Sequence, residues 1–370
     1  MKRIAHLTSV HPRHDVRVFW KECRTLAAAD YAVSLIVADG KGCEEKEKVN
    51  IIDVGAHSGG RLSRMIKSTK RVFRKALELD ADLYHLHDPE LLPVALKLKA
   101  LGKRVIFDSH EDFPADIMSK PYLGRFARIV VSSLFSVYEK HACRKLDYIV
   151  AATPTIREKF KSIDCPSLDI NNYPLLDELQ ELLPWDGERA TVCYIGAMTA
   201  IRGVPELVDA MAQVKSGARL ALVGNFTEAA SGDRCRKSPG WSSVDDHGFV
   251  GRDEVRKIMT HSVAGVVTFL SAPNHIDAQP NKMFEYMSAG IPVVGSNFPL
   301  WKSIIEGNRC GVCVDPANPT EIAEAIDYLF THQAEAREMG ARGRAAVLDK
   351  YNWDGEGVKL LSLYREVLSE

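Results

Sequence analysis

The chain has 370 residues and a mass of 41.1 kDa, with 46% hydrophobic and 26% charged residues. That balance excludes collagen-like, disordered and multi-span membrane chains, and at about 150 residues per domain the length predicts two domains. Lys and Arg number 48 against 49 Asp and Glu, a net charge of −1, so nothing global points to nucleic acid. The halves differ, however: residues 1–170 hold 29 basic and 22 acidic residues, the remainder 19 and 27. An asymmetry of that size suggests that the first half meets something anionic.

The first half alternates strand and helix patterns. Arg3–Ser9 predicts a strand, Val16–Ala29 a helix and Ala32–Val37 a strand. Asp82–His87 reads as a strand before the helix Glu90–Ala100, and Arg104–Asp108 as a strand before the long, mostly apolar helix Tyr122–Lys145. Tyr148–Ala151 and Thr155–Phe160 complete the series as strand and helix. Such alternation argues for βαβ units and a parallel sheet. Asp164–Glu188, with three prolines and Asn171-Asn172, is the linker candidate. The alternation then resumes: strand Thr191–Ile195, helix Val204–Val214, strands Arg219–Val223 and Ala264–Phe269, helix Asn281–Ala289, strand Ile291–Ser296 and helix Glu321–Phe330. Two doubly wound α/β domains follow, 1–170 and 171–350, with a terminal helix, 351–370, that caps the second domain or crosses back to the first. In such sheets ligands sit beyond the carboxyl ends of the strands, so two of them would share a cleft.

No stretch reaches the 18 to 20 apolar residues of a spanning helix, and Met1–Thr8 lacks a signal-peptide apolar core. The eight cysteines are scattered, and Cys310-Gly-Val-Cys313 has no second pair to complete a zinc site. They read as buried, reduced cysteines of a cytoplasmic protein.

The most informative stretch runs from Asp277 to Ser296 and contains Pro280-Asn-Lys-Met-Phe-Glu-Tyr-Met-Ser-Ala-Gly-Ile-Pro-Val-Val294. Asn281 is the expected helix N-cap and Gly290 the expected C-terminal stop. Lys282 and Glu285, three apart, share one helix face. They either pair with each other or, with the open amides of the first turn, form an anion site beside a carboxylate suited to a sugar diol.

This stretch resembles retaining glycosyltransferases of family four, which have the GT-B fold. Those enzymes carry two acidic residues eight apart before a Gly-Ile-Pro-Val run, here Asp277 and Glu285. The resemblance implies that Glu285 holds the nucleotide ribose and that Asp277, where Glu is usual, lies near the donor sugar. It also implies that the loop Gly196–Gly203 meets the diphosphate, with Arg202 at the family's Lys position, Ala197 at its Arg position, and Lys282 supplying the second charge. Gly248-Phe249-Val250-Gly251 resembles the loop whose backbone meets the nucleobase. His110 matches the histidine that contacts the transferred sugar. The family works without a metal, so no metal or other cofactor is expected.

In the first half, His85-Leu-His87-Asp88-Pro-Glu90 and Asp108-Ser-His110-Glu-Asp112 close two successive strands, at the end where ligands bind. Asp80-Ala-Asp82 precedes a strand and reads as turn chemistry. The charged loop His11–Arg17 is open to an acceptor or a donor phosphate. Arg61–Lys75 carries seven basic residues and no acidic one, with Leu62, Met65, Ile66, Phe73 and Leu77 near one face. It reads as an element for an anionic membrane surface.

The resemblance implies a hexosyl transfer from a nucleotide-diphosphate sugar, UDP by default. His87-Asp-Pro-Glu90 and Pro280-Asn-Lys-Met-Phe-Glu285 resemble the subgroup that builds bacterial surface polysaccharides, which implies a lipid-linked saccharide as acceptor. The setting would be surface-polysaccharide synthesis of the O-antigen or capsule kind, on the inner face of the cytoplasmic membrane. The rivals are a non-hydrolysing nucleotide-sugar epimerase of the same architecture and a non-catalytic nucleotide-sugar-binding protein. No nucleic acid partner is expected, and an oxidoreductase is disfavoured because no Gly-x-Gly-x-x-Gly follows the first strand.

Overall fold

The computed structural model describes residues 1–56, 61–118, 124–176, 185, 187, 189–273 and 275–368, the side chains of 61–64 excepted. The chain divides into two compact units, Met1–Asn172 with Trp353–Glu370, and Tyr173–Asn352.

The strands of the first unit are β1 Arg3–Leu7, β2 Ala32–Val37, β3 Glu44–Lys46, β4 Val49–Asp53, β5 Leu83–Leu86, β6 Arg104–Ser109, β7 Tyr148–Ala151 and β8 Ser167–Asp169. They order as β3-β4-β2-β1-β5-β6-β7-β8, and only the edge pair β3–β4 is antiparallel. The order reverses between β1 and β5, the switch point where such sheets open a crevice at their carboxyl ends. The expected helix Val16–Ala29 is in fact a π-helical stretch, Val16–Cys23, running into α1 Arg24–Ala28. Asp15 starts it by accepting from the amides of Arg17 and Val18, while its carbonyl takes the Trp20 amide at 3.2 Å. The other helices are α2 Arg61–Leu79, α3 Leu92–Ala100, α4 Phe113–Met118, α5 Arg125–Cys143 and α6 Pro154–Lys161. Ala5, Leu7, Tyr84, Leu86, Val105 and Phe107 form the core with α2, α3 and α5. The expected start of α5 at Tyr122 lies outside the described residues.

The second unit holds β9 Thr191–Ile195, α7 Val204–Met211, β10 Arg219–Val223, α8 Ala229–Lys237, β11 Val244–Gly248, α9 Arg252–Thr260, β12 Ser262–Val267, α10 Asn281–Ser288, β13 Val293–Ser296, α11 Pro299–Ile305, β14 Gly311–Val314, α12 Pro319–Thr331 and α13 Gln333–Asp349. Its sheet, β11-β10-β9-β12-β13-β14, is wholly parallel and reverses between β9 and β12. Apolar clusters cover both faces, one around Trp301, Tyr286 and Met287, the other around Leu207, Val266 and Ile326. That double burial is why its central strands read as unbroken apolar runs.

Helix α14, Trp353–Leu368, belongs to the first unit. Trp353 Nε1 donates to Thr25 Oγ1 at 2.8 Å, and Glu356 accepts the Asn171 amide at 2.8 Å. All eight cysteines are unpaired; Cys43 is exposed and Cys313 half-buried, so not all are interior as expected. Asp80 sits in a left-handed turn at φ 46°, tied to Arg3 and Lys103, at the amino end of the sheet.

Candidate functional site

Two constellations form, one at the switch point of each sheet. In the second unit, the loop after β9 is clamped by glycines. Gly224 is at φ 135°, and a Cβ there would lie 2.0 Å from the Gly196 carbonyl oxygen. At Gly203, φ 70°, a Cβ would lie 1.9 Å from the Thr268 carbonyl oxygen. The loop is thus pressed against the end of β12, with Arg202 on a one-turn 3-10 segment, Ala200–Arg202. Arg202 donates to the Ala197 carbonyl at 3.3 Å, and its guanidinium lies 5.5 Å from the Phe269 ring.

Lys282, on the first turn of α10, comes to the same loop: its Cε is 3.6 Å from where a Gly196 Cβ would stand. Its Nζ donates to Glu285 Oε2 at 2.7 Å, both side chains being partly exposed. The two do pair, as their spacing allows, and the ammonium and carboxylate both stay open to solvent. Asn281 is not the cap. Pro280 takes that position at φ −66° and ψ 129°, because proline suits extended backbone and Asn281 is already helical and exposed. Gly290 follows the helix at φ 74°, as expected of its stop. Asp277 is half-buried in the loop before α10, which Trp301 Nε1 fastens by donating to the Ala278 carbonyl at 2.7 Å. Phe249 is 81% exposed and Val250 half-buried, on the loop between β11 and α9. Sequence reasoning missed His275, whose ring lies 4.9 Å from Phe269. Burial, with Arg202 nearby, lowers its pKa. Only its place in the loop before Asp277 could have signalled it.

In the first unit, His6 on β1 and His85 on β5 are register partners. His6 Nδ1 lies 2.8 Å from His87 Nε2, and Tyr364 Oη of α14 lies 2.7 Å from His85 Nδ1 and 3.1 Å from His6 Nε2. Glu22 Oε2 is 3.9 Å from one nitrogen of each of the three histidines. Neither Glu22 oxygen has a hydrogen bond, although Arg17 Nε is 3.2 Å from Oε1. Burial raises the Glu22 carboxyl well above the usual carboxylate range, with the Asp108 charge adding to it. Burial likewise lowers His6 and His85, and holds His87 down to about 4.

His6, Glu22, His85 and His87 bring their ligand atoms within 4.8 Å of one another, and so do His87, Asp108 and His110. Both sets have the composition of a metal centre. The hydrogen bonds among imidazoles and Tyr364 already occupy the nitrogens that face inward in the first set.

Asp108 is the hub. Arg17 grips it through two bonds of 2.9 and 2.8 Å, and His110 Nε2 is 2.9 Å from Oδ2. Burial alone would raise that carboxyl, but Arg17 and His110 hold it well below its ordinary value. His110 is half-buried, and its ring centroid lies 4.7 Å from that of His11, the planes tilted by 50°. Burial opposes the charge on His11, yet Asp15, Asp88 and Asp108 raise its pKa overall. Asp88 accepts from Thr8 Oγ1 and the Ser9 amide, tying the ends of β1 and β5 together. The arginines of the loop 11–17 are not open to a ligand as expected. Arg13 is consumed by Asp39 and Glu44, and Arg17 by Asp108 and the Ile170 carbonyl.

Comparison with known proteins agrees with this architecture. Residues 16–170 match the family described as Glycosyltransferase Family 4, and residues 189–332 match Glycosyl transferases group 1. A GDP-mannose-dependent alpha-(1-6)-phosphatidylinositol monomannoside mannosyltransferase of Mycobacterium tuberculosis is 27% identical over 190 residues. That match spans about half of each chain, 48%. The alpha-D-kanosaminyltransferase of Streptomyces kanamyceticus is 23% identical over 85% of this chain and 84% of its own. The structure of Anabaena HepE in complex with UDP superposes with a TM-score of 0.74 at 14% identity, over 99% of this chain and all of that one. With two parallel-sheet Rossmann-like units and one family model matching each, the chain has the GT-B fold and carries the two domains of the family 4 and group 1 glycosyltransferases.

Proposed function

We propose that the chain transfers a glycosyl group from a nucleoside diphosphate sugar to a hydroxyl of a lipid-linked saccharide, with retention at the anomeric carbon. The reading rests on Arg202, Lys282, the loop at Gly196 and the first turn of α10 converging beside Glu285 at the switch point of the second sheet. As the glycosidic bond to phosphate breaks, charge grows on the diphosphate. Arg202, Lys282 and the amides opening α10 stabilise that charge. Lys282 neutralises Glu285 at rest and exchanges that partner for phosphate when donor binds; Glu285 then accepts from the ribose hydroxyls. Phe249, exposed, offers an apolar face to the base, with the backbone of 249–250 beside it.

The acceptor oxygen attacks the anomeric carbon on the face the diphosphate leaves. Its proton passes to the departing phosphate oxygen, so no protein base is required. Asp277 and His110 orient the sugar, and Asp108 fixes the His110 ring. No metal takes part in this scheme. What supports the acceptor class, the surface-polysaccharide setting and the site of action at the cytoplasmic leaflet is the resemblance carried by His87–Glu90 and Pro280–Glu285, together with the basic first half. Among the described residues no helix is long and apolar enough to cross a membrane, so such an acceptor would be met from the bilayer surface.

The relatives differ in nucleotide, GDP-mannose in one name and UDP in one complex. The test is therefore a thermal-shift screen over UDP and GDP sugars. A true donor at 100 times its Kd stabilises by about 2.7 kcal/mol, and Glu285→Gln abolishes that shift. Failure of every nucleotide sugar to stabilise the protein would end the proposal.

A further inference from the structure

Helix α5 is apolar on two opposite sides. Phe135, Tyr138, Ala142 and Cys143 face the core of the first unit. The other side carries Phe126, Ile129, Val130, Leu134 and Val137, exposed by 80, 46, 38, 67 and 70%. At 100° per residue, positions 126, 130, 134 and 137 fall within about 80° of arc, a stripe roughly 16 Å long. A soluble helix sets polar residues opposite its buried side, and contiguous exposed apolar surface marks an interaction site.

The charges that α5 and the two residues after it expose are basic. Arg125, Lys140, Arg144 and Lys145 are exposed. The only acid of the helix, Glu139, is buried and held by Lys159 at 2.6 Å. A two-fold contact of α5 with a second copy would set these cations against one another. Helix α2, by contrast, exposes among its described side chains only Ile66 and Leu77 as large apolar residues, by 56 and 41% and eleven positions apart. Val72 and Ala76 are buried, and Phe73 and Leu79 pack on the core. Its outer face sets Lys67, Lys70 and Arg74 around those two residues, a smaller apolar surface than the five residues that α5 exposes.

We propose that α5 lies in the surface of a bilayer containing anionic lipid. Phe126, Val130, Leu134 and Val137 sit among the upper acyl chains and the cations lie at headgroup level. The apolar contact is thereby assigned to residues 125–143 rather than 61–75. The role of that contact, delivery of a lipid-linked acceptor, rests on the proposed function; the contact itself does not.

The test is flotation of the full chain with phosphatidylglycerol–phosphatidylcholine vesicles. Comparison is with the Leu134→Glu/Val137→Glu variant and with Lys70→Glu/Arg74→Glu on α2. The expected result is flotation of the wild type and a loss of about tenfold or more in partitioning for the α5 variant, with an unchanged thermal melt. A wild type that stays unbound at low salt overturns the proposal. So does an α5 variant that floats like wild type while the α2 variant does not, or a dimer in solution that the α5 substitutions split. Stabilisation by nucleotide sugar, measured without vesicles, reports separately on the transferase reading.

Discussion

Acidification destabilises the first unit through its buried histidines before it reaches the ordinary carboxylates. His87 is fully buried, and its pKa falls from about 6.5 in the unfolded chain to about 4 when folded. A folded pKa below the unfolded one means that the unfolded state binds more protons between those values. The stability is therefore complete above pH 6.5 and is lost as pH falls towards 4. Between pH 6.5 and 5 the linkage relation gives about 1.5 kcal/mol for this residue alone, or roughly 3–6 °C in Tm for a unit of this size. His6 and His85 are shifted in the same direction by the same cause and add to the loss. Glu22 acts oppositely. Its raised pKa lets the folded state bind the proton at higher pH than the unfolded one does, so falling pH through that window favours the native state. His11, with its raised pKa, has gained its contribution by pH 6.5 and is nearly constant below.

Thermal melts at pH 6.5, 6.0, 5.5 and 5.0, at fixed ionic strength, should therefore show a falling Tm. Glu22→Gln removes the opposing group and should steepen the fall. A wild-type Tm that is flat across this range, or a Glu22→Gln slope no steeper than wild type, would refute the opposed shifts of the buried histidines and Glu22.

Arg202→Ala and Lys282→Ala each lower turnover by at least about tenfold, the loss expected when a donor to developing charge is removed; wild-type rates in both would remove the diphosphate clamp. Gly203→Ala costs at least about 2 kcal/mol, since the φ of 70° and the Thr268 carbonyl both oppose a Cβ, and a denaturant titration with an unchanged midpoint would contradict it. Asp108→Asn leaves the buried Arg17 guanidinium without its carboxylate and should destabilise by about 3–5 kcal/mol, read in the same titration.

Parallel strands buried on both faces read as short apolar runs, so Ala32–Val37, Tyr148–Ala151 and Arg219–Val223 were legible to the residue. The edge strands were not. Glu44–Lys46 and Val244–Gly248 are polar and partly solvated, and backbone pairing alone makes them strands. The Lys282–Glu285 pair was legible because three residues on a helix span one turn. Asn281 was misjudged because a proline before a helix can itself hold the cap position, leaving the asparagine already inside.

Composition and local pattern determined two α/β units, the strand ends where ligands belong, and the residue types gathered there. Tertiary structure decided which charges remain available. Arg13 and Arg17 follow His11 closely in sequence, yet carboxylates brought by β6 and by the segment after β2 consume both. It also decided which face of α5 is outside, since a helix apolar on two opposite sides does not show by its pattern which of them is buried. Burial and long-range pairing are properties of neighbours distant in sequence, and the pairing of His6 with His85 exists only because β1 and β5 lie side by side.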